Sequence, residues 1–194
     1  MSEVSGTLIE RERFALVVID VQERLAAAMD ARDEVIRATS RLVRAAAMLR
    51  APIIVTRQYP QGLGPTVPEM EELILGLAEE GAKVQGVDKT AFCCAAEIDF
   101  REALRATGRR QVVLAGMETH ICVAQTALAL SGDGYDVHVP GDACCSRDVR
   151  NHELALDRMR HGGITVTTSE SVMYEAVGRA GTAEFKQLLA IVKE

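Results

Sequence analysis

Six consecutive apolar residues, Phe-Ala-Leu-Val-Val-Ile at 14–19, run directly into Asp20. A strand with one face in water alternates apolar and polar side chains. An unbroken apolar run is what a parallel strand covered on both faces requires. Similar short runs recur at 53–56, around 83–87, and at 111–115, 135–139 and 164–167. Pro52, Gly132-Asp133-Gly134 and Gly162-Gly163 punctuate the approaches to three of them. Helical patterns fill the intervals near 31–50, 69–80, 97–107, 121–130 and 148–161, and two more close the chain near 169–177 and 182–193. Strands alternating with helices from end to end predict α/β architecture. With right-handed crossovers this becomes a three-layer α/β/α sandwich on a mostly parallel six-stranded sheet. No repeat, linker or low-complexity tract interrupts the pattern, so residues 1–194 read as one domain.

Composition narrows the function classes. The net charge of −6, with Lys and Arg scattered, argues against a surface that tracks nucleic-acid phosphates. No apolar run is long enough to cross a bilayer. The N-terminal Met-Ser-Glu-Val-Ser-Gly lacks the basic and apolar regions of a signal peptide. Five cysteines, an odd number outside any secreted framework, suit a reducing cytoplasm. GxGxxG and Walker A motifs are absent, and no cofactor is expected.

Three places carry candidate chemistry. Cys122 lies in Gly-Met-Glu-Thr-His-Ile-Cys-Val, between the strand 111–115 and the helix 121–130, with Gly116 marking the turn. A cysteine in the first turn of a helix meets unpaired N–H groups and the positive end of the dipole, which favour a thiolate. Free Cys is also a common small apolar filler, and on this segment alone the two readings stand level. Asp20 follows an interior strand, where open α/β sheets form ligand crevices, although Asp is also a good N-cap. Lys89, in Val-Asp-Lys-Thr-Ala-Phe, reads either as a site residue or as a solvated loop lysine beside Asp88.

Together the three segments resemble the isochorismatase-like cysteine hydrolases. The opening Ala-Leu-Val-Val-Ile-Asp-Val-Gln and the order Asp, Lys, Cys carry the resemblance, which covers about Phe14 to Lys193. The stretch Tyr59-Pro60-Gln61-Gly62-Leu63-Gly64-Pro65-Thr66-Val67-Pro68-Glu69 is similar to the branch of isochorismatase domain-containing proteins, and Gly141-Asp142-Ala143 fits the family as well. The resemblance implies a catalytic triad of Asp20, Lys89 and Cys122 and a cis peptide before Glu118. In the nicotinamidase branch a metal binds an Asp-x-His pair after the second strand. This chain has Arg57-Gln58-Tyr59 there, so no metal is expected. Isochorismate-cleaving members lack the nucleophilic Cys, so Cys122 points away from that substrate.

The chemistry follows from the residue types. A thiolate attacks an amide-like carbonyl. Lys89 beside Cys122 is expected to lower the thiol pKa, and Asp20 to carry the proton to the leaving amine. The N–H groups of Glu118 and Cys122 are the oxyanion-hole candidates. Gln22, Tyr59, Phe92, Met117 and Thr119 are candidates to line a substrate pocket, each equally readable as packing. His120 is two residues from Cys122, a spacing that turns the two to different faces of a helix. The expected function is hydrolysis of a C–N bond in a small amide-like substrate through a thioester. The alternatives are a non-catalytic binding or scaffold protein with the same fold, and a thiol redox protein, which the lack of CxxC disfavours. The expected partners are a small-molecule substrate and further copies of the chain, as a dimer or tetramer, with the loop 57–69 and the apolar helix at 185–192 supplying interface.

Overall fold

A computed structural model describes residues 8–193. The N-terminal hexapeptide read above as lacking a leader lies outside the described residues. The strands are β1 (Phe14–Ile19), β2 (Ile53–Gln58), β3 (Val84–Lys89), β4 (Gln111–Met117), β5 (Asp136–Pro140), β6 (Cys144–Cys145) and β7 (Thr165–Thr167). The α-helices are α1 (Glu23–Ala26), α2 (Arg32–Met48), α3 (Pro60–Leu63), α4 (Pro68–Glu79), α5 (Ile98–Ala106), α6 (Ala124–Gly132), α7 (Val149–His161), α8 (Ser169–Val177) and α9 (Ala183–Lys193).

The sheet is parallel in the order β3-β2-β1-β4-β5-β7, with β6 pairing β4 off that path. It thus has seven strands where six were expected. The added one is two residues long, too short to show a period in sequence. The unbroken run of β1 is buried throughout because its side chains alternate between two cores. Phe14, Leu16 and Val18 join α2, α8 and α9 on one face. Ala15, Val17 and Ile19 join α5, α6 and α7 on the other. Each large apolar side chain so buried contributes about 1.5–3 kcal/mol.

The order reverses between β1 and β4. The chain builds outward from β1 to β3, then returns to the other side of β1. That reversal opens a crevice at the carboxyl ends of the strands. There the two central strands approach unusually closely. Gly116, opposite Ile19, is inside β4 rather than at a turn. A Cβ on it would lie 2.0 Å from the Ile19 carbonyl oxygen, and its φ of +127° also favours glycine.

One further expectation is corrected, and another is refined. The segment 57–69 is not structureless: α3 forms in it, and Thr66 bridges back to Gln22. The apolar face of α9 is satisfied within the protomer, where Leu188 and Ile191 are buried in the core shared with α2 and α8. Phe185, Leu189 and Val192 on the same helix stay partly exposed.

Candidate active site

Asp20, Lys89 and Cys122 converge in the crevice. Asp20 follows β1 in the left-handed region at φ 54°, which Asp tolerates better than most residues. Its backbone N–H donates to the Thr56 carbonyl at 3.2 Å. Lys89 is the last residue of β3, in register with Gln58 of β2, rather than a loop residue beyond the strand. From there its side chain reaches across β2 to the crevice. Lys89 Nζ lies 2.7 Å from Asp20 Oδ2 and donates to Cys122 Sγ at 3.6 Å. Both ion-pair side chains are fully shielded from water.

Cys122 belongs to a π-helical turn, Thr119–Val123, that runs straight into α6. The wider turn lets the Glu118 carbonyl accept N–H groups from both Ile121 and Val123. The Met117–Glu118 peptide is cis. Cys122 is thus in the opening turn of a helical segment, of a different kind from the α-turn expected.

The electrostatics revise one expectation. Burial pushes the Cys122 thiol well above its ordinary range, and the nearby Asp20 carboxylate adds to the rise. Lys89 opposes both, as its charge dictates, but does not outweigh them. The resting group is therefore a thiol. Burial also disfavours the Lys89 ammonium, yet Asp20 and the neighbouring sulfurs more than compensate and its pKa is raised.

Second-strand side chains that sequence reasoning did not single out hold the charged pair. The Thr56 hydroxyl donates to Asp20 Oδ1 at 2.7 Å. Gln58 Oε1 accepts from Lys89 Nζ at 2.6 Å, and the Ala91 and Phe92 carbonyls accept from it at 3.2 and 3.3 Å. These three acceptors and Cys122 Sγ share the three hydrogens of the ammonium. Asp20 Oδ2 thus meets it as a charge contact and has no aligned hydrogen-bond donor of its own. Cys94 lies behind, its Sγ 4.0 Å from the Thr56 hydroxyl, with burial raising its pKa to about 11. The available signal was the break in apolar character along β2: Thr56 and Gln58 are two apart, hence on one face of the strand.

The expected lining residues separate into two groups. Tyr59 and Phe92 are about half exposed, and their backbones flank the triad: Tyr59 N–H donates to the Lys89 carbonyl at 2.8 Å. Gln22, Met117 and Thr119 are buried. The Gln22 amide is engaged by the Gln58 backbone and the Gly64 carbonyl. Met117 packs in the core, and the Thr119 hydroxyl bonds His152 Nδ1 at 2.9 Å. The structure does not bring these three to an open face. His120 is turned to Ser146, its Nδ1 2.9 Å from Oγ. The Glu118 carboxylate is buried, and its Oε2 accepts from Arg147 N and Nε at 2.9 and 3.1 Å.

No group of three or more His, Cys, Asp or Glu side chains with metal-binding geometry occurs among the described residues. At the position where the nicotinamidase branch has its ligands, Arg57 pairs with Asp88 at 2.7 Å and Gln58 serves Lys89. The described residues also contain no helix long and apolar enough to cross a membrane.

Comparison with known proteins agrees with this fold. The model of the isochorismatase domain matches residues 14–171. Isochorismatase domain-containing protein 2 of Xenopus laevis is 38% identical over 189 residues, spanning 97% of this chain and 87% of that one. Among solved structures, the MAR1 ribonuclease of Caenorhabditis elegans superposes with a TM-score of 0.86 at 34% identity, covering 97% of this chain and 93% of the other. The YcaC gene product of Escherichia coli, described as an octameric hydrolase of unknown specificity, superposes with a TM-score of 0.83 at 25% identity, covering 95% and 90%. The match over most of its length places this chain in the isochorismatase domain family.

Proposed function

We propose that the protein is a cysteine hydrolase that opens a C–N bond of a small amide-like substrate through a thioester on Cys122. The observation that carries the reading is the ammonium of Lys89 shared between Asp20 at 2.7 Å and Cys122 at 3.6 Å. In this scheme the thiol proton passes to Asp20 Oδ2 as Sγ attacks the carbonyl carbon. The raised thiol pKa makes that transfer necessary, because little free thiolate is present at neutral pH. The carbonyl oxygen takes up the negative charge and is held by the N–H groups of Glu118 and Cys122. As the tetrahedral adduct collapses, Asp20 returns the proton to the departing amine and the thioester remains. Asp20 then takes a proton from water, whose oxygen attacks the thioester. As the second adduct collapses the C–S bond breaks, the acid leaves, and Asp20 returns its proton to Sγ, restoring both the thiol and the carboxylate. Lys89 neutralises Asp20 whenever that carboxylate is charged.

The name of the nematode neighbour invites RNA cleavage as another reading. A deeply buried triad within a chain of net charge −6 gives that reading no support. We further propose a reducing compartment as the setting, with one domain per chain and a homo-oligomer as the working unit. The described cysteines are all free, and the E. coli neighbour is octameric. A screen of small amides, ureas and nitriles, with intact-mass detection of an acyl adduct, tests the reaction. Turnover by a Cys122→Ala variant at near wild-type kcat would end this reading.

A further inference from the structure

The molecule places a buried hydroxyl, that of Thr56, against the Asp20 carboxylate. Thr56 is fully buried near the carboxyl end of β2. It holds Asp20 twice. Its carbonyl accepts the Asp20 N–H at 3.2 Å, and its hydroxyl donates to Asp20 Oδ1 at 2.7 Å. The hydroxyl has one proton, and the neighbouring Cys94 Sγ, 4.0 Å away, is a donor to the same oxygen. Cys94 is in turn fixed by its N–H, which donates to Thr126 Oγ1 at 2.9 Å. With the thiol approaching from behind, the hydroxyl proton is directed at Asp20.

We propose that Thr56 is a positioning residue that occupies Oδ1 of Asp20 and so reserves Oδ2 for the Cys122 proton. The inference rests on Asp20 being the base for Cys122. Oδ1 is occupied by the hydroxyl. Oδ2 touches Lys89 and has no aligned donor, and the same ammonium touches Cys122 Sγ. The open lone pair of the carboxylate is therefore on the oxygen that shares the Lys89 charge with the sulfur. A hydrogen bond donated to a carboxylate stabilises its charged form and lowers its basicity. The titratable groups facing Asp20 are Lys89 from β3, Cys122 from the π-turn and Cys94 from the short turn before α5. Thr56 is the neutral donor among them.

The test needs no substrate. Iodoacetamide alkylation of Cys122, mapped by mass spectrometry, is followed from about pH 4 to about pH 10 in wild type, Thr56→Val, Thr56→Ala, Thr56→Ser and Asp20→Asn. Wild type should show an acid limb that Asp20→Asn displaces. In Thr56→Val and Thr56→Ala the limb should move up by about one pH unit, the effect of losing one hydrogen bond to a charged group. Thr56→Ser should restore the wild-type limb. Thr56→Ala guards against Thr56→Val failing to fold, and circular dichroism checks both. A limb unmoved in the folded Val or Ala variant overturns the proposal. So does a serine variant displaced as far as the others, which would assign the effect to methyl packing. A wild-type profile without an Asp20-dependent limb overturns the base reading of Asp20 itself, and this proposal with it.

Discussion

Lys89 and Asp20 form an ion pair of 2.7 Å with both side chains sealed from water, although they come from strands separated by β2. A buried pair of this kind is costly to break by halves, because the surviving charge has no solvent to turn to. Lys89→Met should therefore destabilise the fold by about 3–5 kcal/mol, read from urea unfolding midpoints at constant slope. A loss below about 1 kcal/mol would mean that the pair is hydrated in solution.

Cys122→Ala should fold normally and lose turnover once a substrate is known. Asp20→Asn should lose roughly 10²–10⁴-fold or more in kcat, because the thiol proton then has no acceptor. The double variant should be little worse than either single one, since the groups act as a unit. Single-turnover kinetics with mass detection of the acyl adduct measure all three. Multiplicative losses in the double variant would contradict a shared step.

Stability should fall steeply in alkali. Burial raises the thiol pKa values of Cys94, Cys122, Cys144 and Cys145 above the ordinary 9.0, to about 11 for Cys94 and about 12 for Cys145. As pH climbs past 9.0 the unfolded chain releases these protons first, so the native state holds more. The contribution is complete below 9.0 and is lost from there up through the folded values. Each thiol costs about 1.4 kcal/mol per pH unit in that window. Lys89, raised above 10.5, acts in the same sense at higher pH. Melting temperature against pH in wild type and Cys144→Ala checks this: the variant should lose one thiol's share of the alkaline slope.

Gly116→Ala should cost several kcal/mol, because its methyl would meet the Ile19 carbonyl oxygen at 2.0 Å and its φ is positive. Gly76→Ala is the control. It lies within α4 with nothing within 4 Å of an added Cβ, and should stabilise by about 0.5–1 kcal/mol. Denaturant unfolding of both variants decides whether the β1–β4 approach is obligatory.

Self-association should involve the exposed side chains of Tyr59 and Phe92, whose backbones bond Lys89. Light scattering should give a dimer or larger species at micromolar concentration, and Phe92→Glu should shift it toward smaller ones. A wild-type monomer under those conditions would refute the assembly.

The alternation of strands and helices, and the burial of β1 on both faces, were legible in the chain. Hydrophobic period is a local property, and 14–19 has no polar residue to offer water. Asp20 stood out as a candidate because it follows an apolar run, and the family resemblance singled it out together with Lys89 and Cys122. Their interaction was not legible. It depends on the strand order, which puts β4 beside β1 and leaves β2 between Asp20 and Lys89. Only that order makes Thr56 and Gln58 the partners of the charged pair, and only the pinch between β1 and β4 explains Gly116. The sign of the Cys122 shift was decided in the same way. A nearby lysine favours a thiolate in any sequence, but burial and the Asp20 carboxylate outweigh it here, and both are set by packing in three dimensions.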